Sequence, residues 1–361
     1  VASRGLGDVY KRQHPKPALQ PAPATGSGNE RGGASSTSKG GLIPDSSLLF
    51  LRKRGVALGG LRGLPHNFPV CCEEAAVDDR QLLAKLGAGA LSGDTLAREL
   101  GLTRAAVWKR IQGLRAAGVM IEGRAGDGYR LAQPVELLDP AQIRAGLSAA
   151  VQPLLSELEI AWSLSSTNTE LLQRSAPERG TAVLLAERQT GGRGRRGRHW
   201  ASPLAAHVYL SLSRGFGGGL SRMGGLSLAV GVAVVEALHG LGFRNAGLKW
   251  PNDVVVDGHK LGGLLVEGGG EFAGPARAVI GLGLNVRMPQ ASAADITQPW
   301  TDLDTLAGRE VSRNAVVAAL LAALLPALEQ FEQHGLAPFL PRYATMDAVS
   351  YTHLTLPTKR I

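Results

Sequence analysis

Gly192-Arg-Gly-Arg-Arg-Gly-Arg198, followed at once by His199-Trp-Ala-Ser-Pro-Leu204, decides which fold this chain can take. Its Gly192-x-Gly194-x-x-Gly197 spells the spacing of a dinucleotide-binding loop. That loop works only when a helix opens directly behind it, so that the helix N-terminus faces the pyrophosphate. Here a proline and a β-rich run follow, so a doubly wound parallel sheet gives way to an α+β reading. Five arginines (Arg188, Arg193, Arg195, Arg196 and Arg198) lie among four glycines between 188 and 198. Glycine lets main-chain N–H groups approach a ligand closely, and arginine offers a planar fork for carboxylate or phosphate oxygens. An exposed basic loop that binds RNA is the alternative. A loop closing over a small anionic molecule accounts better for the glycines.

Working outward, Ala182–Glu187 reads as a buried strand feeding the loop and Leu158–Leu164 as an earlier strand. Between them, Ser166-Thr-Asn168 caps a helix predicted over Thr169–Arg174, and such a cap leaves N–H groups facing a ligand. After the loop come a strand at His207–Ser213, a buried helix at Leu226–Leu241, and strands at Ala246–Lys249, Val254–Val256, Gly263–Glu267 and Ala278–Asn285. A polar loop then leads to Trp300 and an amphipathic helix over Val316–Glu332. Three segments here end strands in polar groups: Lys249-Trp-Pro-Asn-Asp253, Lys260-Leu-Gly-Gly263 and Gly281-Leu-Gly-Leu-Asn285. Each alone is an ordinary turn; together they favour one shared site. His199 and His207 read as structural. There is no Walker A sequence, zinc spacing or nucleophile elbow, and the sequence assigns no metal ligands.

Upstream, residues 79–131 form their own unit. Arg80–Leu86 is helical, Ser92 or Asp94 caps Thr95–Leu100, Gly101-Leu102 turns the chain, and Thr103 caps Arg104–Ala117. Val107, Ile111 and Leu114 make the apolar stripe of that last helix. Val119–Glu122 and Gly128–Leu131 follow as a hairpin with its turn at Gly126-Asp-Gly128. Helix, turn, helix and β-wing is the winged helix-turn-helix layout. Residues 80–130 carry nine Lys/Arg against four Asp/Glu. Arg104, Lys109, Arg110 and Arg115 lie on or near the second helix, a pattern suited to DNA phosphates. A protein-docking module is the bland alternative, and the sequence leaves open whether Trp108 faces core or groove.

The formal charge of +9 belongs to the ends of the 361-residue chain. Residues 1–72 carry ten basic and three acidic groups and residues 348–361 two basic groups, whereas 73–347 balances 27 against 27. Whole-chain charge therefore says nothing about the partners of the body. With 44% apolar residues there is material for two or three domains. Cys71 and Cys72 are adjacent and make neither a disulfide framework nor a zinc set, which points to a reducing compartment. No apolar run reads as long enough to span a bilayer and no signal peptide is visible, so a cytoplasmic protein without a membrane partner is expected. Residues 1–78 are expected to be a disordered or non-native leader, 79–133 the winged helix, 134–347 the catalytic domain and 348–361 a non-native tail. Within those ends, Asp8–Gln13 and Val349–Ile361 resemble translated adapter sequence.

The motif set resembles the bifunctional bacterial biotin–protein ligases that also repress the biotin operon. The carriers are Ser166-Thr-Asn168, Gln189-x-x-Gly-Arg-Gly-Arg-Arg-Gly-Arg198, Lys249-Trp-Pro-Asn-Asp253, Lys260-Leu-Gly-Gly263, Gly281-Leu-Gly-Leu-Asn285 and Gly335-Leu-Ala-Pro338. The resemblance implies a winged helix joined to a central mixed sheet-and-helix ligase domain akin to class II synthetases. It also implies that a small SH3-like domain should follow residue 347, where the adapter-like stretch stands. The implied activity joins biotin and ATP, with Mg²⁺, into biotinyl-5′-AMP and then transfers biotin to a lysine of a biotin carboxyl carrier protein. By the same resemblance Ser166, Thr167, Asn168, Gln189, Arg193, Gly194 and Arg195 contact biotin, and Lys249 meets its activated carboxyl, with Lys249 and Arg195 catalytic. Arg196, Arg198, Asn252, Asn285 and Trp300 fall to the nucleotide, with Trp300 over the adenine. Thr103, Arg104, Lys109 and Arg110 fall to operator DNA, bound by a homodimer that biotinyl-AMP favours. Two other readings are a biotin-sensing regulator without catalysis and a lipoate or octanoate transferase; the Arg/Gly run argues against the transferase.

Overall fold

The computed structural model describes residues 70–348, save 125, 126 and 295. Of the leader expected over 1–78, residues 1–69 lie outside the described residues, as do the turn residue Gly126 and the tail from Val349. The first helix, α1 (Val70–Ala88), begins within the stretch read as leader.

The winged unit is built by its caps. Ser92 Oγ accepts from Thr95 N–H at 3.0 Å to start α2 (Gly93–Leu100), and Gly101 ends it at φ 66°, a left-handed conformation that costs glycine nothing. Thr103 Oγ1 accepts from Ala106 N–H at 3.2 Å to start α3 (Arg104–Ala116). Val107, Ile111 and Leu114 bury their stripe in one cluster with Leu82, Leu86 and Leu96. The wing pairs β1 (Ile121–Arg124) with β2 (Gly128–Leu131), two residues later at its start than the pattern predicts. Leu204, from the α+β portion that follows, is a buried member of this same cluster, and its N–H donates to Ala117 O at 2.7 Å.

The α+β portion hangs on a seven-stranded sheet in the order β3-β4-β5-β9-β8-β7-β6. Its strands are β3 (Leu155–Ala161), β4 (Thr181–Ala186), β5 (Val208–Phe216), β6 (Ala246–Lys249), β7 (Asp253–Val256), β8 (His259–Gly270) and β9 (Ala276–Leu284). Only the β3–β4 pair is parallel. Along the chain the helices of five or more residues are α4 (Pro140–Ala145), α5 (Thr167–Gln173), α6 (Leu226–Gly240), α7 (Leu303–Ala307), α8 (Arg313–His334) and α9 (Leu340–Met346). Strand parity divides the sheet's faces. Val208, Leu210 and Leu212 of β5, with Ile280, Leu282 and Leu284 of β9, join the main core with α6 and α8. The intervening residues face the other way, where α5 packs through Leu171 on Leu184 and Val279.

The expectation that no apolar run could span a bilayer needs correcting. By length and composition α8 qualifies, with 22 residues and mean hydropathy 1.6 over its most apolar window. Most of it is packed in the core, including Val316, Leu320, Leu324 and Leu328, as a two-sided core helix must be. Its first residue, Arg313, is buried and pairs with the buried Glu187 at 2.8 Å while also donating to His207 O. Glu187 Oε1 in turn accepts from Leu138 N–H at 2.6 Å, which ties the interdomain segment to the sheet. His207 Nδ1 accepts from Val286 N–H at 3.1 Å. Burial pushes this imidazole down to about 3, with the Asp302 charge opposing and the Arg313 charge reinforcing the shift.

Candidate active site

The site face of the sheet is small-residue terrain. Cross-strand register aligns Tyr209 with Gly283 and Gly263, and Ser211 with Gly281 and Leu265, across β5, β9 and β8. A Cβ at Gly281 would clash with Asn168 Oδ1, and one at Gly283 would fall 2.5 Å from the Trp200 indole. The two glycines thus let one side chain and one ring lie directly on the strand.

Asn168 is there because Ser166 caps α5, with Oγ accepting from Thr169 N–H at 3.4 Å. Ser166, Thr167 and Asn168 are all buried. Gln189 Oε1 accepts from Thr167 N–H at 2.8 Å and lies 3.2 Å from Thr167 Oγ1. Ser211 Oγ sits 2.7 Å from Thr167 Oγ1 and 2.6 Å from Asn168 Oδ1, donating its single proton to one of them. Asn168 Nδ2 donates to Leu265 O at 3.1 Å and Glu267 Oε2 at 2.9 Å. The result is a prebuilt polar wall, the kind that orients a ligand by hydrogen bonds at the end of an apolar slot.

The Arg/Gly loop crosses this face. Arg193 donates to Thr169 Oγ1 at 2.9 Å and to both Glu267 oxygens at 3.0 and 3.1 Å. Arg195 Nη1 donates to Asn252 Oδ1 at 3.2 Å, which joins the loop to the Lys249–Asp253 turn. Asn252 is itself fixed to Leu264 by two hydrogen bonds, at 2.8 and 3.0 Å. Gly194 N–H donates to Arg198 O at 2.7 Å, folding the tip tightly, with Arg196 at φ 58° and Arg196 and Arg198 both exposed.

The two lysines part company. Lys249 is exposed at the end of β6 and borders a shallow cleft with Trp250, Pro251 and Tyr343. Lys260 is largely buried, 2.8 Å from Asp253 and 5.5 Å from the centre of the Trp200 ring. Asn285 Nδ2 donates to Thr301 O at 3.0 Å, and Lys260 N–H donates to Pro299 O at 3.0 Å, so Trp300 is stitched beside Lys260. On the winged unit Arg104 and Lys109 are exposed with Trp108, which is 56% exposed and so lies outside the core. Thr103 is the α3 cap, and Arg110 is half-buried against Asp79 at 3.1 Å.

A family profile described as the Biotin/lipoate A/B protein ligase family matches residues 161–285, and an HTH domain profile matches 79–130. The Escherichia coli bifunctional ligase/repressor BirA is 40% identical over 271 residues, which is 74% of this chain and 81% of that protein. The chain belongs to the bifunctional ligase/repressor family. BirA of Bacillus subtilis is 33% identical, covering 72% of this chain and 79% of that protein. Among solved structures, a biotin protein ligase from Aquifex aeolicus in complex with biotin and ATP is 26% identical, with TM-score 0.45, covering 54% of this chain and 79% of that one.

In this ligase/repressor Ser211, Glu267 and Trp200 touch the site although none belongs to a motif assigned to it. Ser211 and Glu267 are polar residues at site-facing parity on strands whose other face is apolar, and that parity was a readable signal. Trp200 carried none, because its placement depends on Gly263 and Gly283, one on each of two paired strands.

Proposed function

We propose that this ligase/repressor activates biotin with ATP and transfers it to a lysine of a biotin carboxyl carrier protein, and that its winged helix binds operator DNA. The observation that carries the catalytic reading is that Arg193 on Glu267 and Arg195 on Asn252 lay the Arg/Gly loop across β8 and the 249–253 turn, with Lys260 beside Gly263 of the same strand. In the first step a biotin carboxylate oxygen attacks the α-phosphorus, the bond to the β-phosphate oxygen breaks, and pyrophosphate leaves. In the second a carrier lysine amine attacks the acyl carbon, the anhydride bond breaks, AMP leaves, and the amine loses a proton to solvent.

Both steps bring anions together, so fixed positive charge and positioning supply most of the rate. The polar wall of Ser166, Thr167, Asn168, Gln189 and Ser211 suits the ureido end of biotin, with Gly194 and the Arg193 main chain closing over it. Lys260, under the loop, suits the oxygens around the new mixed anhydride better than the exposed Lys249, which takes a rim position. Arg195, Arg196 and Arg198 present charge to the phosphates. Asn252 and Asn285 hold the two strand ends, and Trp300 beside Lys260 offers a face to adenine. A Mg²⁺ bound to the triphosphate would neutralise its charge and would need one or two protein carboxylates. Asp253, beside Lys260, fits that need. The closed loop keeps water from the anhydride. Biotinyl-AMP favours a homodimer through the central sheet that presents two winged helices to a two-fold operator, in the cytoplasm.

The test is incubation with ATP, labelled biotin and a biotin carrier domain. Pyrophosphate release that depends on biotin, with label on one carrier lysine, is expected. Arg195→Gly should raise labelling of bulk lysines by escaped intermediate. DNA binding without biotin-dependent pyrophosphate release would instead assign a non-catalytic regulator, and gel filtration with and without biotin plus ATP tests the dimer.

A further inference from the structure

On α3 the residues Val107, Ile111 and Leu114 turn inward, and the exposed positions are Arg104, Ala105, Trp108, Lys109, Gly113 and Ala116. Trp108 alone among these is large and apolar, and 56% of it is exposed. The helix carries no acidic residue. Arg104 is held only loosely, 3.6 Å from Asp94 with side chains 77% and 70% exposed, so its charge is available to a ligand.

An isolated apolar side chain at a surface is ordinary. The place of this one is not. Trp108 is the fifth residue of the second helix of a helix-turn-helix, within the N-terminal turns that enter a major groove and meet base edges. Arg104 and Lys109 supply charge for phosphates, and phosphate contacts hold a protein on DNA without reading sequence. An indole carries no charge, so its contribution is of the other kind. The apolar feature that a major groove offers is the C5-methyl group of thymine.

We propose that Trp108 packs on a thymine methyl in the major groove and so determines which base pair is accepted at one position of each half-site. This deepens the DNA-binding reading above and rests on it. The occupant is duplex DNA rather than a protein surface, because the ring stands between Arg104 and Lys109 on a helix with no acid to oppose a polyanion. Burying one methyl is worth about fourfold in affinity, and a wrong base pair about tenfold or more.

The experiment uses the full chain with biotin and ATP present. Duplexes are selected from a randomised pool, and the winning duplex and a scrambled version of it are titrated. Each thymine of the winner is then replaced in turn by deoxyuracil, which removes only the methyl. Wild type should lose about fourfold at one position of each half-site, and Trp108→Ala nothing at that position. Trp108→Ala should also lower the preference for the selected over the scrambled duplex about tenfold. Its binding to the scrambled duplex should stay within about twofold of wild type, with the same salt slope, because no charge is lost. Trp108→Phe, which keeps an apolar ring, should keep the response to deoxyuracil.

If Trp108→Ala fails to fold, Trp108→Gln is expected to behave in the same way and decides. Equal deoxyuracil losses in wild type and variant, or a wild type that responds at no thymine, overturn the proposal. So does a changed oligomeric state of Trp108→Ala on gel filtration without DNA, which would assign the ring to contact between copies of the chain. Wild type that prefers no duplex over its scramble sinks the DNA reading and the proposal with it. Wild type that does prefer one, with Trp108→Ala matching it, sinks the proposal alone.

Discussion

The Trp200 indole lies on Gly283, so closely that a Cβ there would stand 2.5 Å from its Cε2 and 2.8 Å from its Nε1. Gly283→Ala therefore has to expel the ring, and with it the loop residues on either side. An approximately 10²-fold loss of kcat/KM for biotin is expected, the scale of an ångström-sized misplacement near a reacting centre. Far-ultraviolet dichroism should be unchanged. Pyrophosphate release within a few fold of wild type would show that the ring has room to move.

The contrast between Lys260 and Lys249 is measurable in the same assay. Lys260 is largely buried beside Asp253 and Trp200, whereas Lys249 is exposed. Lys260→Gln should reduce adenylate formation by about 10²–10³, the range for removing one preorganised charge-stabilising donor. Lys249→Gln should cost much less. The reverse order would return the catalytic role to Lys249.

His207 supplies a pH dependence. Burial holds its native-state value near 3, below the roughly 6.5 of an unfolded chain. The native state therefore refuses a proton that the unfolded state accepts, and stability present above about pH 6.5 is lost as the pH falls toward 3. Between pH 7.5 and 5.5 the wild type should lose about 1.4 kcal/mol more than His207→Asn, judged by urea unfolding. Parallel curves for the two proteins would mean that the imidazole is not kept neutral.

On the winged helix, Lys109 is exposed and Arg110 is held by Asp79. Lys109→Gln should weaken binding to any duplex and lower the slope of log K against log salt by about 1. Arg110→Gln should act mainly on stability, because it breaks a half-buried pair. A full unit of slope lost with Arg110→Gln and none with Lys109→Gln would invert the assignment.

The winged unit was legible because its rules are local. Ser92 and Thr103 cap within three residues, and Val107, Ile111 and Leu114 repeat at helical spacing, so no distant partner is needed to read them. The ligase motifs were legible as chemistry, but which strand ends share a site was not, because Lys249 and Lys260 turn to different surroundings. The start of β8 at His259, four residues before the expected Gly263, was hidden because glycines weaken any strand pattern.

By itself, then, the sequence determined the α+β class, the winged module and the residue types that gather anions, since composition, capping and periodicity act over a few neighbours. Tertiary structure alone decided which lysine turns inward, that Trp200 rests on Gly283, and that Glu267 holds Arg193. Those outcomes depend on the register of β5, β9, β8 and β7, including the irregularity between Val254 and Val255. Register comes from hydrogen bonds between strands far apart in the chain, and a shift of one residue would turn every side chain to the opposite face.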